Sequence, residues 1–358
     1  MANELIITAG GNHGGAATYV RALSHNIDLL EESAGCAVRI AEVGPLPATV
    51  NLEGNLLQLP KTGGNSLPFS RALRQRIVAR NAVLLRSAET HAPFSAGGEV
   101  EITIVRNLKV WRRPPMESFR DLARRQARYF VASRTIKRSG SIVAPTGFMA
   151  AQVAERLGKA IDHSHIQVIP FGVEGSASIH RHRRWTSGPI DVTWVGALSP
   201  HKAPIDAIGI VSELQKAGHA ATLTFVGRGR DSVLKELSDV GLGHGVPVRF
   251  AGEVSRNCAL LIMARAHCLL VTSAFESWCH PVAEALAVGT PVVAPDVGPY
   301  EELGVPADAT FRQGDYSAAA NAIIRASSGR VAFCGARFTW PDHFRSLGEL
   351  VSQARISG

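Results

Sequence analysis

The sequence predicts an α/β chain with two domains, each a parallel sheet covered by helices. Three observations predict it. Short apolar, β-branched runs recur along the chain, separated by stretches of helical length. At 358 residues the chain has room for two domains of ordinary size, each with its own core. Residues 269–296, LLVTSAFESWCHPVAEALAVGTPVVAPD, spell a complete β-α-β crossover.

In chain order, residues 4–8 read as the first strand, and a Gly-rich loop carries the chain from it into a helix. Gly10, Gly11, Gly14 and Gly15 let the backbone pass close to a ligand. Their spacing is not G-x-G-x-x-G, and no acidic residue follows where a dinucleotide site needs one. Strand patterns recur at 38–43, 82–86, 101–105 and 141–144, with helical stretches at 69–80 and 118–137. Residues 44–66, rich in Pro, Gly and Asn, form the longest irregular stretch: either a loop that selects a ligand or an exposed connection. In the second half, 192–195, 221–226 and 248–252 read as strands, and 318–327 as a helix.

The crossover holds the richest chemistry. Residues 269–274 form a strand buried on both faces, 275–280 a loop, and Pro281 the first position of a helix that needs no N–H there. Gly289 suits the C′ position and Pro291 blocks continuation. Glu276 sits in the loop and Glu284 in the first helical turn. A helix amino end suits a phosphate, whereas the carboxylates suit hydroxyl groups. A ligand with both, such as a nucleotide sugar, satisfies the pattern. A bare pair of glutamates at this spacing equally suits a helix-stabilising residue and a solvated loop residue.

Composition bounds the rest. Apolar residues at 46% and charged residues at 19% describe a globular protein. The apolar stretches fall short of the ~20 residues a membrane span requires, and the first residues lack a signal-peptide pattern. Cytoplasmic residence is the expectation. The five cysteines (Cys36, Cys258, Cys268, Cys279, Cys334) have no C-x-x-C pair, which points to reduced thiols. The histidines His163, His165, His180 and His182 lack the carboxylate or cysteine framework of a metal site. Net charge is +8, and residues 106–138 hold eleven Lys/Arg against Glu117 and Asp121. That stretch is either one solvated helix face or a basic surface for anionic membrane, nucleic acid or a phosphorylated substrate.

E-S-W-C-H-P-V-A-E-A-L-A-V-G-T-P-V-V-A resembles the E-x7-E motif of the retaining GT-B glycosyltransferases of family 4 type. Glu276, Glu284, Ala285, Ala287, Gly289, Pro291, Val292, Val293 and Ala294 fall on motif positions. The resemblance extends along the chain, densely from 190 to 300. It implies the GT-B fold: Rossmann-like domains at 1–174 and 189–337 facing a cleft, a linker at 175–188, and a segment at 338–358 crossing back to the first domain.

It also implies roles. G-A-L-S-P-H-K resembles the family's G-R-L-x-x-x-K, with Gly196 in place, Lys202 at the phosphate-binding lysine and Ala197 where the arginine stands. Arg228 or Arg230, in the following V-G-R-G-R, is the candidate replacement, and Gly227 and Val254 border the nucleotide. Glu276 is assigned with Lys202 to catalysis, Glu284 to the ribose, and the Trp278, Cys279 and His280 backbone to sugar hydroxyls; Cys279 replaces a glycine. His13, Gly14 and Gly15 match the first Gly-rich loop, and Arg106 with Asn107 replaces a His-Asp pair. His91 is a second sugar or acceptor candidate. Trp340, in F-T-W-P-D, reads as a packing anchor.

The implied reaction is retaining transfer of a sugar from a nucleotide diphosphate sugar to a hydroxyl acceptor, with no metal or other cofactor. The competing readings are a GT-B protein that only binds or regulates and a basic protein that binds membrane or nucleic acid. Nucleotide-sugar epimerisation fits the glutamate spacing and the Trp segment less well.

Overall fold

The computed structural model describes residues 4–9, 14–43, 45–48, 50–52, 54–59, 67–80, 82–87, 101–106, 119–158, 163–173, 185–333, 335 and 337–357. They form two units. The first comprises the described residues up to Gly172 and those from Phe338 onward, and the second those from Val173 to Arg337.

Unit 1 runs β1 (Glu4–Ala9), α1 (Gly14–His25), α2 (Ile27–Ala34), β2 (Ala37–Glu42), α3 (Leu67–Arg80), β3 (Val83–Ser87), β4 (Glu101–Ile104), α4 (Phe119–Ile136), β5 (Ser141–Ala144), α5 (Gly147–Leu157) and β6 (Ile166–Val168). Its sheet has the order β2-β1-β3-β4-β5-β6, with every pairing parallel. All six β1 residues and all five β3 residues are buried, because helices cover both faces. Arg86 of β3 and Glu101 of β4 form a buried ion pair.

Unit 2 runs β7 (Ile190–Val195), α6 (Pro204–Lys216), β8 (Ala221–Val226), α7 (Asp231–Gly243), β9 (Val248–Gly252), α8 (Arg256–Arg265), β10 (Cys268–Leu270), α9 (His280–Ala287), β11 (Val292–Pro295), β12 (Thr310–Phe311) and α10 (Tyr316–Ser327). The sheet order is β12-β11-β10-β7-β8-β9, again all parallel. Strand order therefore reverses between β7 and β10, and crevices at such a reversal are where open α/β sheets bind ligands.

The final helix, α11 (Trp340–Ser357), belongs to unit 1 and packs on α2. Trp340, 2% exposed, stacks on Phe171 and Phe344 and meets Tyr19 edge-on, so its anchoring role stands. His343 lies in the same cluster, also 2% exposed. Its Nδ1 is 2.8 Å from the Pro170 carbonyl, which can only accept, so Nδ1 carries the proton. Nε2 then accepts from the Tyr19 hydroxyl at 3.4 Å. Burial pulls this imidazole from 6.5 down to about 4, against the opposing pull of the Pro170 and Ile169 carbonyls.

The unfolded chain therefore binds a proton near pH 6.5 that the folded chain refuses until about pH 4. Stability is whole above the first value and falls through this window, by about 3 kcal/mol at about 1.4 kcal/mol per unit. Hydrogen-exchange protection of α11 should weaken across that range, and His343→Gln should flatten the dependence. An unchanged profile would show that His343 does not govern it.

Two expectations need correction. The strand placed at 269–274 ends at Leu270: Val271 N–H still donates to Val293 O of β11, and from Thr272 onward the chain bonds with the turn after β7. The basic stretch does not turn every charge outward: Arg125 is 8% exposed, on the α4 face that also buries Ala132 and Ile136, while Arg128, Arg134, Lys137 and Arg138 are exposed. His13, His91, Asn107, His180, His182, Cys334 and most of the 175–188 linker lie outside the described residues. No helix among the described residues is long and apolar enough to cross a membrane.

Candidate active site

The turn after β7 and the loop after β10 leave their strands side by side at the reversal point, and five contacts bind them together. The Trp194 indole N–H of β7 donates to Thr272 Oγ1 at 2.9 Å. That hydroxyl lies 2.8 Å from the carbonyls of both Lys202 and Ala203. Ala274 N–H donates to the His201 carbonyl at 2.9 Å, and the His201 ring lies against Phe275. Ala203 takes a left-handed conformation (φ 46°), turning the chain into α6 with Pro204 in its first turn. This bracing fixes the backbone of Lys202 before its side chain does anything.

The Lys202 ammonium forms an ion pair with Glu276, with side chains 18% and 12% exposed. Burial alone disfavours both charges, but each overrides that for the other. Glu276 holds the lysine above its ordinary value, and Lys202 holds the carboxyl below the usual range. Both groups therefore remain charged at neutral pH. The sequence placed them 74 positions apart, and the fold brings them into contact.

Glu276 leads through Trp278, 2% exposed, to Cys279, 7% exposed. Cys279 adopts φ 66°, a left-handed conformation that favours glycine, and it is the N-cap of α9. Burial, reinforced by Glu276, pushes its thiol up to about 12. The helix begins at His280, one position earlier than expected, and Glu284 lies just past its first turn, which contains no acidic residue. Gly289 takes φ 78° just beyond the helix, as its position requires.

Glu284 is held by an arginine that sequence reasoning missed: Arg256 Nε donates to Glu284 Oε1 at 3.0 Å. Tyr300, 1% exposed, is also near; Cys279 and Glu276 add to the burial that raises its phenol. Thr272, Trp194 and Arg256 sit at strand ends or a helix start, and Tyr300 in the turn that follows β11. In the sequence they are single polar or aromatic residues without a spacing rule, so nothing there singled them out.

The strand ends also carry three stitched glycines. Gly196 N–H donates to Val226 O at 2.9 Å and Gly227 N–H to Gly252 O at 2.8 Å. Gly227 has φ 136°, and a Cβ there would stand 2.0 Å from the Gly196 oxygen. Ala197, Arg228 and Arg230 are exposed, His280 and Val254 half-buried. In unit 1, Gly14 opens α1 and Gly15 is exposed in its first turn. Arg106, after β4, donates from Nε to Ser87 Oγ at 3.2 Å and lies 5.2 Å from the Tyr19 ring centroid. Among the described residues, no three His, Cys, Asp or Glu side chains are grouped to hold a metal.

Residues 176–332, the bulk of unit 2, match the family model described as Glycosyl transferases group 1. That stretch is similar to glycosyltransferase group 1 domains. Over 170 residues the chain is 28% identical to glycogen synthase of Mycobacterium tuberculosis (strain H37Rv), spanning 47% of this chain and 40% of that one. The match thus covers well under half of the relative's length. Sucrose-phosphate synthase from Thermosynechococcus elongatus superposes with TM-score 0.74 at 16% identity, over 99% of this chain and 100% of that chain. Anabaena Alr3699/HepE, solved with UDP and glucose, gives TM-score 0.64 at 15% identity over 99% and 98%. At such identities the likeness is one of fold, GT-B. Within the matched stretch lie Lys202, Glu276, Glu284 and Arg256, all on the carboxyl side of the unit 2 sheet.

Proposed function

We propose that this chain transfers a sugar from a nucleoside diphosphate sugar to a hydroxyl acceptor, with retention at the anomeric carbon. The observation that carries this reading is the Lys202–Glu276 ion pair at the β7/β10 reversal of a unit similar to glycosyltransferase group 1 domains. Its ammonium and the amino end of α9 attract a diphosphate, and the carboxylate accepts hydrogen bonds from sugar hydroxyls.

In this reading Glu276 orients the donor sugar and favours the positive charge that develops as the bond from C1 to the phosphate oxygen breaks. Lys202 offsets the charge of the departing diphosphate. The acceptor oxygen bonds to C1 on the same face, and its hydroxyl proton passes to the departing phosphate oxygen. Glu284 binds the ribose, and Gly196, Gly227 and Val254 border the nucleotide with backbone. The backbone from Trp278 to His280 meets sugar hydroxyls, with Cys279 adding bulk where glycine would leave room. Arg228 or Arg230 stands in for the cation absent at Ala197. Gly14 and Gly15 of unit 1 are assigned to the donor, and Arg106 to the acceptor or sugar. Lys202 and the helix end provide the charge stabilisation, so the scheme requires no metal.

Thermal melting in the presence of UDP-, GDP-, ADP- and dTDP-sugars tests the proposal. One class is expected to raise the melting temperature by mass action and to be consumed when acceptor is added. A panel without effect would overturn the reading. Ala197 favours a second one, a domain that binds donor without turning it over; binding with neither hydrolysis nor transfer would select it.

A further inference from the structure

We infer that Arg256 is a positioning residue for the donor: it aims Glu284 and offsets its charge, so that a diphosphate can approach two carboxylates. This inference rests on the donor reading above. Ser255 caps α8, its Oγ accepting the Cys258 N–H at 3.3 Å, which makes Arg256 the first helical residue beyond β9. From there its side chain, 23% exposed, reaches the 15%-exposed Glu284 on α9, the helix after β10. The pair links two helices that follow non-adjacent strands.

Charge decides what the link is for. Glu276 and Glu284 flank Cys279 in one short loop and helix, in surroundings buried enough to keep that thiol protonated. Uncompensated, two carboxylates would repel a diphosphate strongly, because partial burial weakens screening by solvent. Each carboxylate has its own cation instead, Lys202 on Glu276 and Arg256 on Glu284, so the four groups sum to zero. A neutral quartet admits an anion that the bare glutamates would turn away. The guanidinium's planar fork also fixes the direction of a carboxylate better than a lysine does.

Isothermal titration of the full chain with UDP and GDP, and with the matching donor sugars, provides the test. Arg256→Gln is expected to weaken the nucleoside diphosphate that the native chain binds by about tenfold or more. Arg256→Lys should recover most of that loss. Removing the repelling charge as well, in Arg256→Gln/Glu284→Gln, should bind better than Arg256→Gln alone. In steady state the single Gln variant should raise the donor KM with kcat near native. Native affinity in Arg256→Gln, even with a lowered melting temperature, would make Arg256 a brace between helices and overturn the inference while leaving the donor reading intact. No recovery in the double variant would also overturn it. A native chain that binds neither nucleotide nor sugar donor would bring down both.

Discussion

Lys202→Met is expected to cut sugar transfer about a hundredfold or more and to destabilise unit 2 by about 3 kcal/mol. The first effect follows from its place against Glu276 at the strand reversal. With the ammonium gone, the charge of the departing diphosphate has only the helix end and the arginine of the loop after β8 to offset it. The second follows from burial. Glu276 is 12% exposed, and without its partner the carboxylate must either remain charged and poorly solvated or take up a proton.

The pH response separates the two effects. Glu276 is held below its ordinary 4.5, so its stabilising share is present above that value and fades as pH falls through the lowered one. Lys202 is held above 10.5, so its share is present below that value and fades as pH rises through the raised one. Between those limits the native pair is intact, whereas in Lys202→Met the Glu276 carboxyl loses the cation that lowers it and should titrate higher than in the native chain. Lys202→Met/Glu276→Leu should regain most of the stability and none of the transfer, since removing both charges leaves neither uncompensated. Denaturant melts and initial rates on these variants are the measurements. A stable, fully active Lys202→Met would remove the phosphate assignment.

Gly227→Ala should do comparable harm by a different route. The added methyl would meet the Gly196 oxygen at 2.0 Å, and that oxygen is backbone, so no side-chain rotation relieves it. A φ of 136° adds strain for any residue with a Cβ. A loss of about 3 kcal/mol corresponds to a fall of about 6–12 °C in melting temperature for a unit of this size. The control is Gly243→Ala at the end of α7, where a Cβ meets nothing within 4 Å and φ is not positive. That change should be neutral or slightly stabilising. Equal melting of the two variants would show that the strand ends tolerate the displacement.

Much of this was written locally in the chain. Buried parallel strands announce themselves as apolar runs, so the predicted strands of both sheets appear within a residue or two of their places, except where tertiary bonds draw residues 272–274 away from the line of β10. Glu276, Glu284 and Lys202 were legible because they sit at fixed offsets in a recognisable loop. Arg256 was not, because its meaning depends on α8 and α9 lying together, which no spacing within either helix encodes. The inward turn of Arg125 was hidden for a similar reason: charge counted along a sequence ignores which helix face it occupies.

The docking of α11 on α2 has a consequence for biosynthesis. Residues that close the core of the leading unit emerge from the ribosome only after the whole of the trailing sheet has been translated. Until then the aromatic groove around Tyr19 and Phe171 stays uncovered, a window for chaperone capture or aggregation. Maturation thus runs backwards relative to chain order, the later unit completing itself first.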